Sequence, residues 1–376
     1  MKHPIYLDNN ATTPLDPHVL HAVVSCLKGH YGNPSSSHSF GREARILVDE
    51  ARRSIASYLG VKPREVIFTS SGTEAINSVI RGICLGRLPG HIVTSSAEHS
   101  AVYHTVQEME RLGWQSTFLA PGSYGSVHAD AVRSAITRQT ALIAIMAVNN
   151  ETGVKSDVEG IAAVAKEAGI PLLVDGVAWL GKESFSIPTG VTAMAFSAHK
   201  VHGPKGTGLM LVRGREKLAP LISGGAQEFG LRAGTEDVAG IVGFAAAVEL
   251  LRKELPESEA KICRLRDRFE EGIMASCHDV IVNGQGPRVA NTSNLAFLGV
   301  DGESLLINLD QAGVAASHGS ACSSGGLEPS RILINMGIPL EQTRSSIRFS
   351  LSRFTTDREI DMALEIVVDN VARLRR

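Results

Sequence analysis

No apolar run in this 376-residue chain approaches the roughly 20 residues that would cross a bilayer. Nor is there a signal-peptide core between Met1-Lys2-His3-Pro4 and the strand-like segment that follows, so a cytoplasmic protein is expected. The five cysteines, Cys26, Cys84, Cys263, Cys277 and Cys322, contain no C-x-x-C pair and are odd in number. That argues against a structural zinc site and against a disulfide framework, and leaves thiol chemistry open at one of them. Internal repeats, low-complexity tracts and blocks of like charge are missing too. A formal net charge of −2 gives no electrostatic footprint for nucleic acid or an acidic membrane surface, and small neutral or zwitterionic ligands fit better. What is present, 43% hydrophobic residues, suffices for a substantial core in a chain too long for one ordinary domain, so two lobes are expected.

Apolar segments recur near residues 66–69, 91–94, 115–119, 141–148, 171–174, 192–197 and 208–212, with helix-compatible stretches in most of the gaps. This alternation predicts an α/β fold with a largely parallel sheet. Beyond residue 241 the pattern predicts a long helix broken at Pro256, then a second helical stretch from Glu259 to about Ile273 leading into a smaller lobe. There Ser293–Phe297 and Ser346–Leu351 alternate as half-buried strands would, and Asp357–Leu374 reads as an amphipathic terminal helix.

Several apolar segments end in polar residues of reactive types: Thr73, His99, Asn150, Asp175 and Lys200. In an open α/β sheet the ligand lies beyond the carboxyl ends of the strands, so these five aim at one place. Lys200, in Ser-Ala-His-Lys at 197–200, sits where a buried strand gives way to a glycine-rich loop; desolvation there can remove its proton and make it a nucleophile toward a carbonyl. Asp175 ends the apolar run 170–174. Read alone, it serves equally well as a cap on the next helix or as the partner of a protonated ring nitrogen. Ser70-Ser71-Gly72-Thr73 opens a helix directly after the first apolar segment, a plain N-cap by itself and a phosphate cradle in this company. Lysine, aspartate and helix start together specify a cofactor with an aldehyde, a basic ring nitrogen and a phosphate: pyridoxal 5'-phosphate.

From Tyr6–Pro14 through Gly32-Asn33-Pro34-Ser35-Ser36, Asn149–Gly153, Leu231–Thr235 and Gly319-Ser320-Ala321-Cys322, in order and over nearly the whole length, the chain resembles the NifS-type cysteine desulfurases. The resemblance implies the class V aminotransferase fold, which is fold type I of the pyridoxal phosphate enzymes. It carries a mostly parallel seven-stranded sheet in a large domain, residues 16–255, and an α+β small domain, residues 1–15 and 256–376. It also implies a homodimer. Within the site it implies Lys200 as the lysine that holds the cofactor, and His99 as the ring-stacking histidine that assists proton transfer. Gly72, Thr73, Ser197 and His199 become phosphate ligands, joined by Thr235 from the partner subunit. Asp175 becomes the ring-nitrogen partner, Asn150 a further cofactor contact, and Asn150 and Arg348 bind the substrate carboxylate. Cys322 lies in the run Ser317–Gly326, too small, polar and glycine-rich for a core, so an exposed thiol on a loop that reaches the cleft is expected. The implied reaction takes sulfur from L-cysteine onto Cys322 as a persulfide, releases L-alanine, and passes the sulfur to an acceptor or scaffold protein serving iron–sulfur cluster assembly or thiolation. No metal, nucleic acid or membrane enters this reading.

The chain departs from the family pattern at two positions. Where a glutamine usually donates to the cofactor's ring hydroxyl, this chain has Ala178; and where glycine is usual it has Ser352. Without that donor, Ala178→Gln is expected to lower the pKa of the linkage between Lys200 and the cofactor, unless a neighbouring group already fills the role. The chain ends at Arg376, without the longer tail by which some relatives dock a scaffold, which leaves the acceptor open. Two other readings stand beside the favoured one: another class V pyridoxal enzyme, such as a selenocysteine lyase or transaminase, and a non-catalytic sulfur-relay partner.

Overall fold

The computed structural model describes residues 4–213, 218–319 and 328–376. Cys322 therefore lies outside the described residues. Twelve strands are found among them: β1 (Ile5–Tyr6), β2 (Val66–Thr69), β3 (His91–Ser95), β4 (Gln115–Leu119), β5 (Thr140–Met146), β6 (Leu172–Asp175), β7 (Ala193–Ser197), β8 (Gly208–Val212), β9 (Val280–Val282), β10 (Thr292–Phe297), β11 (Val314–Ala315) and β12 (Ser346–Ser350).

Seven strands form one sheet in the order β2-β8-β7-β6-β5-β3-β4. Only β8 runs against the others, pairing antiparallel with both β7 and β2. The apolar runs are unbroken because helices cover both faces, so no position along β2, β3, β6 or β7 faces water. Alternate residues supply two cores. Phe68, Ile143, Val174 and Phe196 pack toward the helices Ser39–Leu59 and Val238–Ser276. Ile67, Leu142, Leu173 and Ala195 pack toward Gly72–Cys84 and Ser100–Arg111. The strand order reverses between β3 and β5, which opens a crevice at their carboxyl ends.

The expected break at Pro256 does not occur: one helix runs from Val238 to Ser276 with the proline inside it. Pro256 is exposed, so the carbonyl that loses its amide partner can turn to water. Both halves of the helix are held by packing, Phe244, Val248 and Leu251 in the first core and Ile262, Leu265, Phe269 and Ile273 in the second. Tertiary burial outweighs the local preference here.

The second core also takes Ile5, Leu7, Leu295, Phe297, Ile347, Phe349, Ile360 and Val367. Around it lie a three-stranded antiparallel sheet, β12-β10-β9, and the parallel pair β1-β11. Contrary to the half-buried expectation, β10 and β12 are buried along their whole length. The alternation is real, with Leu295, Phe297, Ile347 and Phe349 on the apolar side. The polar side is covered because it meets the first lobe, where Asn294 donates to the Glu151 carbonyl (3.2 Å) and Arg348 to the Asn150 carbonyl (2.9 Å). Since Ile5 and Leu7 pack in this second core and the core begins on the long helix past Pro256, we propose 16–255 and 1–15 plus 256–376 as the two domains.

Candidate active site

Beyond the carboxyl ends of the central strands a cavity of about 160 Å³ opens between the lobes. Gly72, Thr73, His99, Asn150, Asp175, Ser197, His199, Lys200 and Arg348 all line it. The register explains the convergence: Asp175 is level with Met146 on one side and Ala195 on the other, while Ser197 and Thr69 both align with Gly208. The helix that starts after Thr69 is thereby brought beside the end of β7.

At that helix start Ser71 is extended and its hydroxyl accepts from the Glu74 amide at 3.1 Å, a standard N-cap. The first-turn amides of Gly72 and Thr73 are then left for a ligand. Glycine is required at 72 because a Cβ there would stand 2.6 Å from a Val177 methyl. Glu74 accepts from the Ser70 amide (2.8 Å) and pairs with Arg232 (3.0 Å), fixing the turn from outside.

His99 caps the helix Ser100–Arg111, its Nδ1 accepting from the Ala101 amide at 3.1 Å. An amide can only donate, so the neutral ring carries its proton on Nε2. Burial first, then the nearby Lys200 and Arg331 charges, push its pKa down to about 4, so it stays neutral at physiological pH. Asp175 is 5% exposed. Burial pushes its carboxyl up to about 6, opposed by the Val177 amide at 3.0 Å and by Lys200.

Lys200 follows β7 in a short 3-10 turn. Its Nζ donates to the carbonyls of Asn10 and Ala11, the latter at 2.9 Å. His199 turns its Nδ1 to the Thr12 hydroxyl at 3.1 Å, and its carbonyl accepts from Thr13. Burial, with Lys200 and Lys205 nearby, lowers its pKa to about 4. The N-terminal segment quoted above only as a motif thus builds the floor under the lysine.

Arg348 is 1% exposed. One arm donates to the Asn150 carbonyl and the other pairs with Asp8 at 2.9 Å, where Ser317 donates as well (2.8 Å). The Asn150 Oδ1 and Arg348 Nε atoms are buried without protein partners, so a donor and an acceptor stand ready in the cavity wall. Thr235, by contrast, is exposed and lines a separate surface cavity beside Gly32, Asn33 and Pro34.

This chain matches the class V aminotransferase family model over residues 5–363. It belongs to the class V aminotransferase family. It is 43% identical to a cysteine desulfurase of Nostoc sp. over 374 residues, covering 99% of this chain and 94% of that one. Among solved structures it resembles a NifS-like protein with a TM-score of 0.92 at 33% identity, over 99% of this chain and all of the other. A structure of SspA in complex with cysteine superposes with a TM-score of 0.83 at 32% identity, over 93% of this chain and 99% of that one. As a class V aminotransferase the chain keeps the lysine, the aspartate and the helix-start cradle of its sequence motifs in one cavity.

Glu98, next to His99, was not foreseen. It is fully buried, one oxygen accepting from the Met146 amide (3.0 Å) and the other without a partner. Burial, reinforced by the neighbouring Asp175 charge and opposed by the Met146 amide and Arg331, holds its pKa well above the usual carboxylate range. The folded state thus keeps a proton that the unfolded chain releases, and stability falls as pH rises above the unfolded value. Glu98→Gln removes that loss. The variant is expected to melt at a higher temperature than wild type at pH 8, with the gap closing near pH 4. Equal melting temperatures for the two proteins across this range would show that Glu98 is ionised when folded.

Proposed function

We propose that this protein is a pyridoxal phosphate-dependent cysteine desulfurase, working as a cytoplasmic homodimer that passes sulfur to an acceptor protein. The reading is carried by Lys200 and Asp175 at adjacent strand ends, in one cavity with a helix start and Arg348. The cavity residues suit the cofactor. Among the described residues the Asp175 carboxylate accepts from the Val177 amide and from no side chain, so a protonated ring nitrogen would suit this buried acid. Gly72, Thr73, Ser197 and His199 would hold its phosphate, joined by Thr235 of the partner subunit, whose placement away from this chain's own cavity suits that role.

When bound, pyridoxal phosphate supplies an electron sink that allows the α-proton of cysteine to leave and its sulfur to become electrophilic. Lys200 would hold the cofactor aldehyde between turnovers and move the α-proton through Nζ once displaced. His99, neutral with its proton on Nε2, can assist by donating a hydrogen bond from Nε2 at the place where Lys200 moves the proton. Arg348 and Asn150 would fix the substrate carboxylate, the guanidinium already held in orientation by Asp8. Cys322, as thiolate, would attack the substrate sulfur. Its S–S bond forms as the substrate C–S bond breaks, the carbon keeps the electron pair and is protonated, and L-alanine leaves.

Incubation with L-cysteine and a reductant is expected to give alanine and sulfide in equal amounts. Cys322→Ser should keep the yellow bound cofactor and lose turnover by roughly a hundredfold or more. A Cys322→Ser protein with near wild-type sulfide release would rule out the persulfide route.

A further inference from the structure

Lys182 lines the same cavity, seven residues after Asp175 and on the turn that also carries Ala178. Its Nζ donates to the backbone carbonyl of Lys200 at 3.3 Å. Among the described residues no carboxylate pairs with it: neighbouring Glu183 is taken by Lys155 (3.0 Å) and by the Trp179 ring N–H (2.8 Å). The other charged and titratable groups around it are mostly cationic or neutral. Lys200, His99, His199, Arg348 and the single acid Asp175 share its cavity, and His202 and Arg353 lie behind it in a small second cavity that it also lines. Burial, with the Lys200 charge, lowers its pKa to about 8.

A largely buried ammonium with one carbonyl for company is costly unless an anion comes to it. Lys200 would hold the aldehyde carbon of the cofactor, whose ring oxygen is carried on the carbon next to the one bearing that aldehyde. That phenolic oxygen would be the cofactor anion nearest the lysine linkage, with the phosphate held by Gly72 and Thr73. We propose that Lys182 is the cationic partner of the phenolic oxygen of bound pyridoxal phosphate, filling the place of the donor that Ala178 cannot supply. The inference rests on the cofactor reading above.

The sign follows from charge. Losing the linkage proton leaves the ring oxygen negative with no adjacent positive nitrogen, and a nearby cation favours that state. Lys182 therefore lowers the linkage pKa, and the expectation for Ala178→Gln changes: with the oxygen already partnered, that variant alone should titrate close to wild type.

The test is a pH titration of the visible absorbance of the holoenzyme. Lys182→Met is expected to raise the linkage pKa by about one unit, Lys182→Arg to leave it near wild type, and Ala178→Gln in the Lys182→Met background to bring it back down. Should Lys182→Met fail to fold, Lys182→Ala, which also carries no donor, has the same expected direction. A neutral variant that binds cofactor and titrates as wild type overturns the proposal, as does a marked fall on Ala178→Gln alone. A purified protein that takes up no cofactor, with no visible band and no borohydride-fixed label on Lys200, refutes the cofactor reading itself and is told apart by that result.

Discussion

Lys200→Ala is expected to cost roughly a thousandfold or more in turnover, because one side chain is asked both to hold the cofactor and to move the substrate proton. The fold gives this lysine its position: it follows β7, an interior strand of the sheet, and its Nζ is turned inward onto the Asn10 and Ala11 carbonyls. Borohydride reduction of the wild-type holoenzyme followed by peptide mapping should place the pyridoxyl group on Lys200. Lys205, five residues on, is exposed and outside the cavity wall. A label on Lys205, or a Lys200→Ala protein that still turns over cysteine at an appreciable rate, would overturn the assignment.

Arg348→Ala should produce the second large effect, and it has two separable parts. The guanidinium is the charge partner of Asp8, whose side chain is 16% exposed. Removing it leaves Asp8 and the Asn150 carbonyl without their shared donor, which is expected to destabilise the fold by about 3 kcal/mol. The other part follows from the proposed role: without a fork for the substrate carboxylate, KM is expected to rise by about a hundredfold. Arg348→Lys separates them. A lysine retains a positive charge near Asp8 but cannot pair with two carboxylate oxygens in plane, so stability should recover further than KM does. An Arg348→Ala enzyme with wild-type KM would remove Arg348 from substrate binding and leave it a purely structural residue.

Legibility followed the range of the interaction involved. The strands of the large sheet could be read because each is a short apolar run closed by a polar residue, and the site could be read because those closing residues lie at one edge. Pro256 misled because a helix break is a local preference, while the helix is held by two cores built from distant residues. The polar side of β10 and β12 looked exposed because nothing nearby in sequence reveals that Glu151 and Asn150 cover it. Asp8 stood inside a recognised motif, yet its pairing with Arg348 joins opposite ends of the chain. Lys182 and Glu98 carry no motif of their own; a lysine with a lowered pKa and a buried glutamate with a raised one become visible only when burial and charge around them are known.

The N-terminal segment has a bearing on how the protein is made. Asn9 donates to the Ser350 carbonyl at 2.8 Å, the Asn10 amide to the Ser350 hydroxyl at 2.8 Å, and the Leu7 carbonyl accepts from the Ser350 amide at 2.7 Å. The segment Leu7–Asn10 is therefore docked by β12, which leaves the ribosome some 341 residues later. Until then Asn10 and Ala11 lack the lattice that sets them under Lys200, although the large sheet has long been available to fold. A nascent chain that has not yet reached β12 would thus have its lysine and no finished pocket around it, so that reactive chemistry waits for that strand.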